Sequence, residues 1–128
     1  MNKKKILIVD DEINFTKVVK LNLEFSGKFE VKVLTKAIDI ISCLHSFKPD
    51  LILLDLIMPG IGGIEVCDLL NADPLGQGVP VVILSALDKT ADKANAFKKG
   101  VVDYLVKTID ENELILRIEK ALQLKYEI

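Results

Sequence analysis

Residues 51–60 read LILLDLIMPG, and this stretch decides the fold, because four consecutive apolar residues run into Asp55 and then into a proline–glycine turn. A strand that is apolar at every position must be covered on both faces, which is typical of a parallel sheet between two layers of helices. The segments 6–9 and 81–84 are built in the same way. We therefore predict three interior parallel strands.

Two other segments, 31–34 and 102–106, alternate apolar and polar residues, as half-exposed strands at the edge of a sheet do. The five predicted strands are 6–9, 31–34, 51–54, 79–84 and 102–106. Helix-length segments with apolar stripes follow them at 12–25, 37–47, 63–72, 89–99 and 110–125. This alternation predicts an α/β fold, a (βα)5 doubly wound parallel sheet with right-handed crossovers and the strand order 2-1-3-4-5. The stretch 74–78, which contains a proline and two glycines, is predicted to be a turn.

The length and the net charge of the chain limit the functions that it can have. The 128 residues have the size of one domain, half of them are hydrophobic, and the formal net charge is -2. No basic field exists to hold nucleic acid, so we expect no direct DNA or RNA binding. The N-terminal lysines are followed by only four apolar residues, too few for a signal peptide or a membrane span. We expect a single cytoplasmic domain over 1–128 with no membrane partner.

The two cysteines, Cys43 and Cys67, lie singly in helix-like segments rather than at metal-ligand spacing. Because no secretory signal is present, we predict two reduced, partly buried thiols. His45 lies near a predicted helix end, and we predict a surface or capping role for it rather than metal binding.

Polar residues follow the carboxyl ends of four predicted strands. Asp10 and Asp11 end the first strand, Asp55 ends the third, Ser85 the fourth and Lys107 the fifth. In the predicted order, the connections change direction between the first and third strands, and ligands of such sheets bind beyond the strand ends at that point. We therefore predict that these side chains share one shallow pocket.

Three carboxylates so close together repel one another, and one of them protonates unless a cation compensates. A ligand set of oxygen atoms alone favours magnesium or manganese over zinc. A carboxylate beside such an ion can attack phosphorus and form an aspartyl-phosphate. The ion and an ammonium group would stabilise charge on the phosphoryl oxygens, so we interpret Asp55 as a candidate nucleophile and Lys107 as its cationic partner.

Each residue also has a purely structural interpretation. Asp11 or Glu12 could cap the first helix, Asp55 could open a loop, Ser85 could cap the fourth helix, and Lys107 could be a solvated end residue. Compatible chemistry at four strand ends favours the shared site over four separate coincidences.

Taken together, these motifs resemble the receiver domain of two-component response regulators, which has the CheY-like fold, over essentially the whole chain. The matching residues are Val9-Asp10-Asp11-Glu12, Leu53-Leu54-Asp55-Leu56-Ile57-Met58-Pro59 with Gly63, Ser85-Ala86, and Gly100 ahead of Asp103-Tyr104-Leu105-Val106-Lys107. Each motif is short, but their combination in this order is specific.

The resemblance implies roles for individual residues. Asp55 matches the phosphoacceptor, and Asp11 and Asp55 match direct magnesium ligands. The backbone carbonyl of Ile57 completes the protein's share of the ligands, while Asp10 acts largely through bound water. The resemblance implies a signalling domain that catalyses its own phosphorylation and dephosphorylation rather than an enzyme acting on a separate substrate.

The resemblance also implies a switch. Ser85 and Lys107 match the groups that contact the phosphoryl oxygens, and Tyr104 matches the aromatic residue that turns inward as Ser85 moves, although an ordinary edge-strand tyrosine explains it equally well. The donor would be a sensor histidine kinase or a phosphotransfer protein. The face formed by the fourth helix, the fifth strand and the fifth helix would signal to an output domain or partner. It could also form a homodimer, with Asp103 and Arg117 contributing.

One departure from the family pattern concerns the loop after Lys107. Most receivers have proline next, in a cis peptide bond, whereas this chain has Thr108. A cis bond before a residue other than proline costs about 2.5–4 kcal/mol, which leaves the geometry of this loop open.

Three other classes of protein compete with the receiver interpretation. A metal-dependent phosphohydrolase with an aspartyl nucleophile normally needs a second acid two residues further on, and position 57 is isoleucine. A degenerate receiver, acting only as a binding module, would lack part of the acidic and basic set. A nucleotide or flavin domain would need a glycine-rich phosphate loop after the first strand, which this sequence lacks.

Overall fold

The computed structural model describes residues 2–124 and contains one five-stranded parallel sheet in the order β2-β1-β3-β4-β5. The strands are β1 (Lys4–Val9), β2 (Phe29–Leu34), β3 (Leu51–Leu54), β4 (Val81–Ser85) and β5 (Asp103–Val106). The predicted fold class and strand order are confirmed, and each strand lies within a few residues of its predicted position.

Five main helices connect and follow the strands, as predicted. They are α1 (Ile13–Phe25), α2 (Ile40–Phe47), α3 (Gly63–Asn71), α4 (Thr90–Lys98) and α5 (Glu111–Leu124). The predicted helix 37–47 is instead a 3₁₀ turn, Ala37–Asp39, followed by α2, and such turns are common at the start of helices. Within residues 2–124, none of the helices is long and apolar enough to cross a membrane.

The stretch 74–78 was predicted as a turn, but it contains a short helix, Pro74–Gln77. Its start is well specified, because Pro74 occupies the first helical turn and the Asp73 carboxylate accepts a hydrogen bond from the amide of Leu75 at 2.9 Å. The exposed ring of His45 lies 2.9 Å from the same carboxylate and holds the pKa of Asp73 below its usual value. His45 is therefore a surface residue, as predicted.

The interior strands divide their side chains between two cores. On one face of the sheet, Leu7 of β1 and Ile52 of β3 belong to a core with residues of α2 and α3. On the other face, Ile6 and Ile8 of β1 belong to a core with residues of α1 and α5. Because both faces are covered, the central positions of these strands must be apolar, which explains the continuous pattern in the sequence.

The two edge strands are covered to different extents. In β2, Phe29 and Val31 are buried while Glu30 and Lys32 are exposed, as the alternation predicted. In β5, Tyr104 and Leu105 are both buried, and they belong to different cores. The fifth strand is therefore an edge in the hydrogen-bonded ladder, but its centre is covered on both faces.

The residue after α2, Lys48, adopts a left-handed conformation with φ 53° and ψ 63°. A side chain with a Cβ atom costs about 1–2 kcal/mol in this region, where glycine has no such penalty. Lys48 is exposed, and its amide donates a backbone hydrogen bond to the carbonyl of Leu44 at 3.0 Å. Glycine can donate the same backbone hydrogen bond, so the turn does not require lysine. We expect Lys48→Gly to raise the free energy of unfolding by about 1 kcal/mol, measured by urea denaturation.

The matched control is Lys48→Ala, which removes the long side chain but keeps the Cβ atom. It should leave the free energy of unfolding nearly unchanged. Equal stabilisation by glycine and alanine would show that relief of the left-handed backbone is not the cause.

The two cysteines are free and more completely buried than predicted, with 5% exposure for Cys43 and 2% for Cys67. Burial raises the pKa of both thiols, and that of Cys67 to about 11. Because the thiolate is the reactive form, we expect neither thiol to react with a chromogenic thiol reagent near neutral pH while the protein is folded. Both should react at once in denaturant, and rapid labelling without denaturant would contradict this placement.

Candidate functional site

The site begins where the sheet's ladder of hydrogen bonds ends. The amide of Asp10 donates to the carbonyl of Leu34 at 3.1 Å, and the amide of Asp55 donates to the carbonyl of Val9 at 3.0 Å. These bonds extend the pairing of β1 with both of its neighbours by one residue. The backbone therefore fixes Asp10 and Asp55 side by side at the carboxyl edge of the sheet.

Three carboxylates gather at this edge. Asp10, Asp11 and Asp55 each offer an oxygen atom, and these atoms all lie within 4.8 Å of one another. Asp10 and Asp55 are 2% and 5% exposed, whereas Asp11 is exposed. Two of the three negative charges are thus held close together away from water, where their repulsion is poorly screened.

Lys107 supplies the balancing positive charge. Its Nζ lies 2.8 Å from Asp10 Oδ2, 2.7 Å from Glu12 Oε2 and 3.4 Å from Asp55 Oδ2. Its amide donates to the carbonyl of Ser85 at 2.8 Å, which ties the end of β5 to the end of β4. Burial alone would lower the pKa of Lys107, but the hydrogen bonds and nearby carboxylates outweigh it and raise that pKa, so the ammonium stays charged.

The two buried carboxylates are held to different degrees. Asp10 accepts a hydrogen bond from the amide of Glu12 on Oδ1 at 2.9 Å and one from Lys107 on Oδ2, so both of its oxygens are engaged. Asp55 has longer contacts, 3.3 Å from the amide of Ile57 and 3.4 Å from Lys107 Nζ. Burial, then the charge of Asp10, raises the pKa of Asp55. Asp55 is therefore the less satisfied of the two carboxylates.

Ser85 and Tyr104 meet at the loop that follows β4. The Ser85 hydroxyl is fully buried and accepts a hydrogen bond from the amide of Leu87 at 3.2 Å. The Tyr104 hydroxyl donates to the carbonyl of the same Leu87 at 2.8 Å, and its side chain points inward with 8% exposure. Ser85 and Tyr104 thus both form a hydrogen bond with the backbone of one loop residue, Leu87.

The structure does not support most of the purely structural interpretations of these residues. The N-cap position of α1 is Glu12, whose side chain makes no capping hydrogen bond, and that of α4 is Lys89 rather than Ser85. The side chain of Lys107 is only 11% exposed, so it is not a solvated end residue. Asp55 does bond the amide of Ile57 in its own loop, but this bond does not compete with the shared site.

The Lys107–Thr108 peptide bond is trans, since residues 2–124 contain no cis peptide bond. Lys107 nevertheless reaches Asp10 and Asp55.

Ile57 lies in the loop after Asp55. Its amide donates a hydrogen bond to the Asp55 carboxylate at 3.3 Å, and Ile57 is 57% exposed.

Gly63, at the start of α3, fixes the path of the loop after Asp55. A Cβ atom there would lie 2.6 Å from the carbonyl oxygen of Asp55 and 2.6 Å from the Cα of Leu56. The amide of Gly63 donates to the carbonyl of Leu56 at 3.0 Å. The helix therefore begins directly against the backbone that carries Asp55, and only glycine fits without displacing it.

One member of the site, Glu12, was not predicted. Its carboxylate is the nearest partner of Lys107, at 2.7 Å, yet the sequence suggested only a capping role. Its position in the sequence could have indicated this contact, because Glu12 directly follows Asp10 and Asp11 and precedes α1, the helix that borders this edge of the sheet.

The donor set fits a hard divalent cation. Every candidate ligand is an oxygen atom, and the carboxylates of Asp10, Asp11 and Asp55 lie close enough to share one ion. Three carboxylates, those of Asp10, Glu12 and Asp55, lie within 3.4 Å of the one ammonium, and Asp11 adds a fourth negative charge beside Asp10 and Asp55, so negative charge remains for a further cation to balance.

Comparisons with known proteins agree with this geometry. The family model that describes the response regulator receiver domain matches residues 6–119. MtrA of Mycobacterium tuberculosis, a DNA-binding response regulator, is 34% identical over 121 residues, which are 94% of this chain and 51% of that protein. RpaA of Synechocystis, a DNA-binding dual master transcriptional regulator, is 35% identical over 119 residues, which are 93% of this chain and 49% of that protein.

A solved structure gives the same result. The receiver domain of Francisella response regulator 1452 matches with a TM-score of 0.84 at 30% identity, over 94% of this chain and 98% of that chain. The two curated relatives are longer proteins, and this chain spans about half the length of each.

Proposed function

This chain belongs to the response regulator receiver family and is a receiver domain of two-component signal transduction, and from that premise we propose that Asp55 accepts a phosphoryl group in a magnesium-dependent reaction. The observation that carries the proposal is the placement of Asp55, which is buried, loosely bonded, grouped with two other aspartates and 3.4 Å from the Lys107 ammonium. We assign the receiver domain to residues 1–128.

Magnesium, or manganese, would be held by Asp11, Asp55 and the backbone carbonyl of Ile57. Asp10 would act through bound water, because both of its carboxylate oxygens already have partners. When bound, the cation neutralises the carboxylates and stabilises negative charge on the phosphoryl oxygens.

In the reaction, a carboxylate oxygen of Asp55 attacks the phosphorus of a phosphohistidine on a sensor histidine kinase or a phosphotransfer protein. The new bond joins that oxygen to phosphorus, the phosphorus–nitrogen bond breaks, and the departing imidazole keeps the electron pair and takes up a proton. Lys107 and the Ser85 hydroxyl contact the phosphoryl oxygens as charge spreads over them. Attack by water on the phosphorus of the acyl phosphate would later break the bond to the Asp55 oxygen, release inorganic phosphate and regenerate the carboxylate, and we propose that the domain catalyses both steps.

The acyl phosphate would shift a two-state equilibrium through Ser85, the loop after β4 and Tyr104. Leu87 supports this proposal, because Ser85 and Tyr104 both bond to its backbone. The helix that follows is lightly anchored, since Ala96 is its only buried residue in the described chain. An element with so little buried area is suited to move between two positions.

The signal would leave through the face made of α4, β5 and α5, toward an output domain or a partner protein. We also propose this face for a homodimer, with Phe97, which is 49% exposed, as an apolar contact. The Arg117 guanidinium bonds both oxygens of Asp103 within the chain, at 2.7 and 2.9 Å, so this pair is already satisfied without a second copy. We therefore assign it no part in the dimer.

We propose a cytoplasmic location, supported by the two free, buried thiols, which are typical of proteins in a reducing compartment. MtrA is a DNA-binding protein and so is RpaA, but we assign nucleic-acid binding to no part of this domain, because its net charge is -2.

The proposal is tested by incubating the protein with magnesium and acetyl phosphate and measuring its intact mass. A gain of one phosphoryl group that depends on magnesium is the expected result. No gain with either magnesium or manganese would overturn it.

A further inference from the structure

We propose that Glu12 is a positioning residue that draws the Lys107 ammonium toward the start of α1 and so leaves room for a cation beside Asp11 and Asp55. This inference rests on the function proposed above for the same site. Glu12 itself is assigned no contact with the cation or the phosphoryl group.

The first argument is the position of the ammonium among its three partners. Its distances to Glu12 and Asp10 are 2.7 and 2.8 Å, whereas the distance to Asp55 is 3.4 Å. The ammonium is therefore displaced toward α1 and away from the proposed phosphoacceptor. Without Glu12, the nearest carboxylates would be Asp10 and Asp55, and the ammonium would settle between them.

The second argument is that α1 holds Lys107 at two points. Glu12 is the N-cap residue of α1, and Phe15 lies in the first turn of that helix. The Phe15 ring centroid lies 4.6 Å from the Lys107 Nζ, within the range of a cation–π contact. The ring and the Glu12 carboxylate together draw the ammonium toward the start of α1.

The third argument is competition. An ammonium and a divalent cation that seek the same carboxylate oxygens exclude each other, and an ammonium bonded to Asp55 also occupies an oxygen that must attack phosphorus. A residue that draws the ammonium aside should therefore increase both the cation affinity and the rate of phosphorylation.

The test measures magnesium and manganese binding to the full chain, by calorimetry and by electron paramagnetic resonance respectively. Glu12→Met removes the carboxylate, and Glu12→Asp keeps the charge but shortens its reach. Since Glu12 is 59% exposed at its side chain, we expect both variants to bind the cation about two- to fivefold more weakly. Phosphorylation by acetyl phosphate should slow in parallel.

The same substitutions are then made in a Lys107→Met background, where no ammonium remains to be positioned. The Glu12 variants should have no further effect on cation affinity there. An equal loss in that background would overturn the proposal, because it would show that Glu12 acts through its charge alone. Wild-type affinity for Glu12→Asp, or no loss in either variant, would overturn it as well.

Two controls separate this inference from other causes. Glu111→Met makes the same chemical change at an exposed position at the start of α5 and should leave cation affinity unchanged. Thermal unfolding of each variant checks that the fold is intact. If the wild-type chain itself binds no cation and takes up no phosphoryl group, the proposed function fails, whereas an intact wild type with unaffected Glu12 variants removes only this inference.

Discussion

Replacing Asp55 with asparagine is expected to abolish phosphoryl uptake from acetyl phosphate. The amide has the shape of the carboxylate but lacks the anionic oxygen that attacks phosphorus, and as a neutral group it is a weaker ligand for a hard cation. The substitution should not unfold the protein. Burial and the charge of Asp10 raise the pKa of Asp55, so the ionised group is disfavoured in the folded state, and a neutral side chain removes that cost.

The measurement compares intact masses after incubation with magnesium and acetyl phosphate. The matched control is Asp68→Asn, the same chemical change on α3, where the carboxylate is 54% exposed and paired with Lys99. A surface ion pair of that kind contributes little to stability, so the control should take up one phosphoryl group as the wild type does. Uptake by the Asp55→Asn protein would show that another residue is the acceptor.

The same assay distinguishes the competing classes. Continuous turnover of phosphate esters by the wild-type protein would indicate a phosphohydrolase. A folded wild-type protein that neither gains a phosphoryl group nor hydrolyses esters would be a binding module that keeps the receiver fold.

The fold could be predicted from the sequence because burial imposes a pattern that is local and repeated. Strands covered on both faces leave continuous apolar runs, as in β3, and the half-covered strand β2 leaves an alternation. Strand order followed from which runs were interior. The grouping of Asp10, Asp11 and Asp55 also followed, because parallel strands place their carboxyl ends at one edge.

The contacts that the sequence did not predict depend on where side chains reach after folding. Lys107 and Glu12 are 95 positions apart, and their 2.7 Å contact needs the fifth strand to end beside the first helix. The hydrogen bond from the Tyr104 hydroxyl to the carbonyl of Leu87 likewise joins residues that lie apart in the chain, 17 positions from each other. No periodicity carries this information, because it is set by rotamers and loop paths.

The close approach at Gly63 could not be predicted from the sequence either, although this glycine is part of the receiver motif. A glycine in a motif is compatible with a turn, a cap or a tight contact, and only coordinates separate them. The atoms that a Cβ would strike belong to Asp55 and Leu56, which come eight and seven residues earlier in the chain.

Gly63→Ala is therefore expected to destabilise the protein by about 1–3 kcal/mol, the range typical of overpacking a tight contact. The sign of the change in the free energy of unfolding distinguishes a crowded position from an open one. Alanine is a better helix former than glycine by about 1 kcal/mol, so with open space at this position the substitution would stabilise the start of α3. Because both contacted atoms are backbone atoms at 2.6 Å, the loop that carries Asp55 must move instead. Phosphorylation should therefore slow as well as stability fall.

Gly62→Ala is the matched control, one residue earlier in the same loop. A Cβ there meets only the carbonyl oxygen of Leu56 at 3.6 Å, an ordinary contact, and the backbone at φ -77° and ψ 168° is accessible to alanine. We expect nearly wild-type stability by urea denaturation and nearly wild-type phosphoryl uptake. Equal behaviour of the two variants would mean that α3 does not press on the backbone beside Asp55. A large difference between neighbouring glycines would instead show that the position of the phosphoacceptor depends on how closely this helix begins.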